Sequence, residues 1–195
     1  MIRLFVAIPL PESVRENLFG IACGLHGARW IDPDRMHLTL RFIGEVDGAT
    51  ADDIADALDA IAMPEPDIQL RGLGMFSDKR GGGMLWAGVR PNEGLMRLRG
   101  KIEQALIRVG MEPDRRKYHP HVSLARLSGD SARVLPFLQL RGDYLGEPFR
   151  VGEFILYSSF LGHGSGALYR EEVVFPLGDK VRAESMWMAT AGAEE

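Results

Sequence analysis

Short apolar runs alternate along this chain with longer stretches in which apolar residues recur at helical spacing. The runs are rich in β-branched and aromatic residues, which is typical of strands. They predict strands at 2–8, 36–43, 68–76, 84–89, 121–127, 149–161 and 168–175. The amphipathic stretches predict helices at 11–26, from Thr50 to Pro64, at 92–109 and at 131–140. Strands with one covered face indicate an α+β fold.

The order of these elements repeats along the chain. The first half has the order strand, helix, strand, helix. The second half begins with two strands and then continues in the same order, with a helix, a strand and a helix. Such a repeat predicts two similar lobes, each with an antiparallel sheet and flanking helices. We expect a single bilobal domain over residues 1–182 and a flexible tail over residues 183–195.

One tetrapeptide pattern occurs in both halves, as His37-Leu38-Thr39-Leu40 and as His121-Val122-Ser123-Leu124. Side chains alternate between the two faces of a strand, so each copy presents an imidazole and a hydroxyl on one face. The aliphatic residues between them point toward a core. Because clefts between similar units often hold sites, we expect both copies to face a central groove.

Composition limits the classes of function. The 195 residues carry a net charge of −4, so any contact with RNA must be local rather than spread over a basic surface. The single cysteine, Cys23, excludes an intrachain disulfide and is expected to be a small core residue of a cytoplasmic protein. No apolar stretch reaches the length that spans a bilayer. Without a heptad pattern, we expect a monomer.

Several other side chains leave alternatives open. A basic run at 115–117, with Lys79 and Arg80, is either a solvated face or a grip on an RNA backbone. His119 and His121 could share a metal, but no third ligand has recognisable spacing, so we predict no metal site. Aromatic residues that could stack on a base are Trp30, Phe42 and Tyr118. Alternation predicts that Phe42 instead enters the core, on the face of Leu38 and Leu40.

Four segments resemble one known family. They are LFVAI at 4–8, HLTLRFIGE at 37–45, YHPHVSLAR at 118–126 and LYSS at 156–159. The paired motifs resemble the signature of the 2H phosphoesterase superfamily. The surrounding segments resemble the bacterial and archaeal RNA 2′,3′-cyclic phosphodiesterases, also described as LigT-like 2′-5′ RNA ligases. Ser123 stands where threonine is commoner, and it keeps the hydroxyl.

The resemblance implies a chemistry for these residues. It implies cofactor-free opening of a 2′,3′-cyclic phosphate on RNA to a 2′-phosphomonoester, with His121 as base and His37 as acid. It implies that Thr39 and Ser123 donate hydrogen bonds to the phosphate, and that Arg126 contacts it. Alternation turns Arg126 away from His121 unless a bulge follows Leu124. Substrates would be cyclic-ended RNA, such as tRNA fragments, or cyclic nucleotides.

Other functions remain compatible with the sequence. The reverse reaction, 2′-5′ joining of RNA ends, would use the same residues, although water at its cellular concentration favours hydrolysis. A non-catalytic module that binds RNA or nucleotides would need neither histidine. A metal-dependent hydrolase would use His119 with His121 and would lose its activity in chelator.

Overall fold

A computed structural model of the chain describes residues 1–21, 25, 27–78, 82–128, 134–162 and 166–178. The strands are β1 (Ile2–Pro9), β2 (Ala28–Trp30), β3 (His37–Val46), β4 (Asp67–Ile68), β5 (Leu70–Ser77), β6 (Gly83–Val89), β7 (His121–Leu127), β8 (Phe149–Arg150), β9 (Glu153–Gly162) and β10 (Gly166–Pro176). The α-helices are α1 (Glu12–Phe19), α2 (Gly48–Asp59), α3 (Glu93–Arg108) and α4 (Val134–Arg141). The predicted α+β fold is confirmed.

The main sheet is antiparallel throughout and consists of two halves. One half has the order β10-β9-β1-β3, and the other has the order β7-β6-β5, with β2 beside β7. The halves meet where Leu38 of β3 pairs with Val122 of β7. Beyond this pair, β2 lies along β7, with Ala28 opposite Leu127. Each half therefore contributes one of the two histidine motifs at the junction.

In the described part of the chain, one cluster of buried hydrophobic residues forms a core beneath both halves of the sheet. Leu38 and Val122 are both 0% exposed, so the junction itself is part of this core. The helices bury their apolar faces here, through residues such as Ile54 and Leu58 in α2 and Ile102 in α3. Because the core is shared, the two motif strands cannot move apart without exposing apolar surface.

Two helices differ from the predicted bounds. The first helix ends at Phe19 rather than near residue 26, and Gly20 follows it. The second begins at Gly48 rather than at Thr50 and ends at Asp59 rather than near Pro64. Its first turn is capped by the Asp47 side chain, which accepts a hydrogen bond from the Thr50 backbone N–H. The fourth is described over Val134–Arg141 and includes Pro136, and the predicted residues 131–133 lie outside the described ranges.

Some sequence-based predictions concern residues outside the described ranges. These are Cys23, Lys79, Arg80, residues 131–133 of the fourth predicted helix and the tail at 183–195. Among the helices that are described, none combines the length and the apolar character needed to cross a bilayer.

Candidate active site

The pairing of Leu38 with Val122 places both motifs at the same point of the sheet. The side chains of Leu38 and Val122 are buried in the core, so the residues before and after each of them project from the opposite face of the sheet. His37 and Thr39 flank Leu38 on that face. His121 and Ser123 flank Val122 in the same way, and because the strands are antiparallel, each histidine lies toward the other motif's hydroxyl residue.

Each imidazole is held by the backbone two residues before it. The Nδ1 of His37 lies 2.9 Å from the carbonyl oxygen of Arg35, and the Nδ1 of His121 lies 2.7 Å from that of His119. A carbonyl oxygen only accepts hydrogen bonds, so Nδ1 carries the proton in both rings. The Nε2 atom of each ring is therefore the one that can take up or release a proton.

Aromatic rings pack around both histidines. In the first half, the His37 ring centroid lies 5.1 Å from that of Phe5 and 5.2 Å from that of Tyr169. In the second half, the His121 centroid lies 4.9 Å from that of Phe76 and 6.4 Å from that of Trp86. These rings fix the orientation of the imidazoles and exclude water from one side of each.

Burial lowers the pKa of both histidines below the usual range. For His37, burial is the largest effect; its hydrogen bond to Arg35 opposes the shift, while the charges of Arg35 and His121 add to it. For His121, burial again dominates and its bond to His119 opposes it. The charge of His121 is thus one of the causes that lower the pKa of His37.

A bulge in β7 determines where Arg126 points. Consecutive residues of β6 pair with Ser123 and Ala125, so Leu124 is an extra residue in the strand. An extra residue reverses the alternation of side chains that follow it. Arg126 consequently lies on the same face as Ser123 and His121, and its side chain is exposed.

The same irregularity occurs in β3 and corrects one prediction. Consecutive residues of β1 pair with Thr39 and Arg41, so Leu40 is the extra residue. Phe42 therefore projects from the same face of the sheet as His37 and His121, the histidine face, and its side chain is 56% exposed. The prediction that Phe42 enters the core was wrong, because it assumed an unbroken strand.

A second arginine lies beside Arg126. Arg29 of β2 is directly opposite Arg126 in the antiparallel pairing, and both side chains are exposed. Residues that pair in this way project from the same face, and like charges so placed repel each other. An anion between the two guanidinium groups would offset this repulsion.

Tyr118 connects the loop before β7 to the other motif strand. Its hydroxyl donates a hydrogen bond of 2.9 Å to the carbonyl oxygen of Thr39. The guanidinium carbon of Arg99 lies 4.8 Å from the centre of its ring. Burial raises the pKa of the Tyr118 hydroxyl, so it remains a donor. Tyr118 is thus engaged within the protein rather than presented as a stacking surface.

A buried ion pair joins the first motif strand to α3. Arg41 Nε donates to a Glu103 carboxylate oxygen at 2.8 Å, and the two side chains are 9% and 15% exposed. Arg41 also donates to the carbonyl oxygen of Glu112 at 2.6 Å, and Glu103 accepts from the Asp114 backbone N–H at 2.7 Å. The loop between α3 and β7 is therefore fastened to β3.

The remaining candidates are less involved. The side chains at 115–117 are exposed, and Arg116 pairs with Asp114 at 3.0 Å. Trp30 packs near Phe137, with ring centroids 6.2 Å apart. Within the described part of the chain, no three His, Cys, Asp or Glu side chains are grouped closely enough to hold a metal ion.

Sequence reasoning missed Arg29 and Trp86. The strand that carries Arg29 has three residues, too few for a recognisable alternation. Trp86 lies in a strand that was predicted, and its partly buried position alternates with buried Leu85 and Ala87. Assigning it to the histidine face requires its pairing with Ser123, a contact between distant segments.

Comparison with known proteins gives consistent matches. The profile of the family described as LigT like phosphoesterase matches residues 8–86. A protein of Aeropyrum pernix named RNA 2′,3′-cyclic phosphodiesterase is 40% identical over 109 residues, which are 55% of this chain and 61% of that protein. A Thermotoga maritima protein with the same name is 31% identical over 131 residues, which are 64% of this chain and 70% of that protein.

Solved structures agree with these sequence matches. The structure of E. coli LigT in complex with 3′-AMP has a TM-score of 0.78 and 26% identity, and the match covers 91% of this chain and 99% of that one. The shared fold and the 31% identity over most of a relative's length establish the relationship. This chain belongs to the LigT-like phosphoesterase family.

Proposed function

We propose that this chain hydrolyses 2′,3′-cyclic phosphate ends of RNA to 2′-phosphomonoesters without a metal ion. The observation that carries the proposal is the arrangement of His37 and His121, each with Nδ1 tied to a backbone carbonyl and Nε2 left to titrate. The relatives named RNA 2′,3′-cyclic phosphodiesterase support the same reaction.

In this mechanism the oxygen of water forms a bond to phosphorus while the bond from phosphorus to O3′ breaks. The Nε2 of His121 takes the proton from water, and the Nε2 of His37 gives its proton to O3′. Burial lowers the pKa of both rings, which favours the neutral base. The anionic phosphate of the bound substrate favours a proton on His37. Substrate binding therefore favours a neutral His121 together with a protonated His37.

The hydroxyls and Arg126 complete the proposed phosphate site. Within the described residues, no hydrogen bond occupies the hydroxyl of Thr39 or Ser123, and both residues flank the histidines. Their hydroxyls can donate to the non-bridging oxygens as negative charge builds on them. Arg126 adds a forked donor on the same face. The proposed site needs no residue from a second copy, and we propose a monomer as the active form.

The experiment is incubation of the purified protein, in chelator, with a short RNA that ends in a 2′,3′-cyclic phosphate. We expect a 2′-phosphate product, identified by mass and by comparison with 2′- and 3′-phosphate standards. A 3′-phosphate would contradict the proposed leaving oxygen, and activity only with added metal would contradict metal independence. Binding without product would favour the non-catalytic module. Adding an RNA with a 5′-hydroxyl tests the joining reaction in the same tube.

A further inference from the structure

A cavity of about 780 Å³ opens beside His121 in the second half of the sheet. Its volume lies within the range of small-molecule sites, which is roughly 300–1,000 Å³. Its walls include Arg71, Trp86, Gly88, Met96 and His119. None of these side chains is assigned a proton transfer or a contact with the cyclic phosphate in the proposed mechanism, although the Trp86 indole packs near His121.

The cavity lies next to the candidate active site. Gly88 in its wall pairs directly with His121 across β6 and β7. His119, also in the wall, holds the Nδ1 of His121 through its carbonyl oxygen. A ligand in the cavity would therefore lie next to the imidazole that we propose as the base.

Two glycines shape the wall around an aromatic ring. A Cβ at Gly74 would lie 2.3 Å from the Trp86 indole, and a Cβ at Gly88 would lie 3.2 Å from it. The indole thus lies against the backbone, where any larger residue would displace it. The His119 ring meets the indole at a centroid distance of 4.9 Å and an angle of 70°. Aromatic walls of this kind bind flat rings by stacking.

We propose that this cavity binds the second nucleobase from the RNA end, the one that precedes the nucleotide bearing the cyclic phosphate. The inference rests on the proposed function. In-line displacement requires the attacking water and the leaving O3′ to lie on opposite sides of phosphorus. Water lies at His121 and O3′ at His37, so the terminal ribose extends toward His37. The preceding nucleotide is joined to the O5′ of this ribose, and we place its base beside His121. The exposed guanidinium of Arg71 suits the phosphodiester between the two nucleotides.

The consequence is a preference for RNA chains over mononucleotides. The experiment compares kcat/KM for a 2′,3′-cyclic mononucleotide and for a dinucleotide with the same terminal base. We expect wild-type protein to prefer the dinucleotide. His119→Ala and Trp86→Ala should each reduce the ratio of the two kcat/KM values about five- to one-hundredfold, the usual effect of removing one stacked partner. Trp86→Phe keeps a ring and should retain most of the preference.

Two results would overturn the inference. One is equal kcat/KM for both substrates in the wild type; the other is an equal loss on both substrates in the variants, which would indicate an effect on His121 itself. Calorimetry with the mononucleotide and dinucleotide 2′-phosphates provides a test that needs no turnover. If the wild type hydrolyses neither substrate, the proposed function fails, while tighter binding of the dinucleotide that depends on Trp86 would still support the subsite.

Discussion

Leu38 and Val122 are the second residues of the two histidine motifs, and they pair with each other across the middle of the sheet. When equivalent residues of two antiparallel strands pair, an approximate two-fold axis passes between them. The axis carries His37 onto His121 and Thr39 onto Ser123. A single buried contact therefore sets the spacing of both imidazoles and both hydroxyls.

This symmetry predicts that the two histidines act as one unit. His37→Ala and His121→Ala should each lower turnover of a cyclic-ended RNA by about two to four orders of magnitude, the usual contribution of a general acid or base. The double variant should be scarcely slower than either single variant, because each group needs the other. Steady-state kinetics checks this, with thermal melts as the control for folding. Normal turnover in either single variant would refute the assignment.

The lowered pKa of the two histidines predicts a pH-dependent stability. In the folded protein the pKa of each histidine lies below the ordinary value of about 6.5. At pH values between the folded-state pKa and 6.5, the unfolded chain therefore binds more protons than the folded chain. Stability contributed by the neutral rings is therefore present above pH 6.5 and is lost as the pH falls.

Urea unfolding at two pH values measures this linkage. Between about pH 7.5 and pH 5.5, wild-type protein should lose more free energy of unfolding than the variant carrying both His37→Gln and His121→Gln. The carboxyl groups with lowered pKa, such as that of Asp114, respond at much lower pH and do not confuse the comparison. Parallel losses in the two proteins would show that the imidazoles are not responsible.

Tyr118 lies in the loop before β7 and is expected to position β3, the strand that carries the first motif. Tyr118→Phe removes the donor to the Thr39 carbonyl and should lower kcat about threefold to tenfold, on the scale of one hydrogen bond. KM should change little, because the hydroxyl does not touch substrate.

Tyr144 offers a matched control for this variant. Its buried hydroxyl has no hydrogen-bond partner among the described residues, so Tyr144→Phe removes the same atom without breaking a bond. We expect Tyr144→Phe to leave kcat unchanged and to keep or raise stability. A similar loss of kcat in both variants, or a rise in KM for Tyr118→Phe alone, would argue against the positioning role.

The ion pair between Arg41 and Glu103 should stabilise the fold far more than an exposed pair. Glu103→Ala leaves a buried guanidinium without its partner, which should cost about 3–5 kcal/mol in the free energy of unfolding. Glu45→Ala breaks the pair with Arg3, whose side chains are 57% and 52% exposed, and should cost about 0–1 kcal/mol. Chemical denaturation compares them, and equal costs would mean that solvent reaches Arg41.

The motif strands were predictable from sequence, but the direction of the side chains after each motif was not. Alternation over HLTL and HVSL correctly put the imidazole and hydroxyl on one face, because the pattern is local. The bulges at Leu40 and Leu124 appear only when β3 pairs with β1 and β7 pairs with β6. Alternation therefore failed for Phe42 and left Arg126 unresolved, since both lie just beyond a bulge.

The facing pair of Arg29 and Arg126 predicts opposite effects on function and on stability. Two like charges directly opposite each other destabilise a sheet, by roughly 0.2–1 kcal/mol for such cross-strand pairs. Replacing either arginine with alanine should therefore keep or slightly raise the free energy of unfolding.

The same substitutions should weaken the binding of RNA. Arg126→Ala should raise KM about ten- to one-hundredfold, the scale of lost hydrogen bonds to a charged group. Arg29→Ala should weaken binding in the same direction, and the dependence of affinity on salt should become less steep in both. If one phosphate lies between the two guanidinium groups, the double variant will lose less than the sum of the single losses. Additive losses would place the two arginines on separate phosphates, and lower stability with an unchanged KM would make the pair a structural feature rather than an anion site.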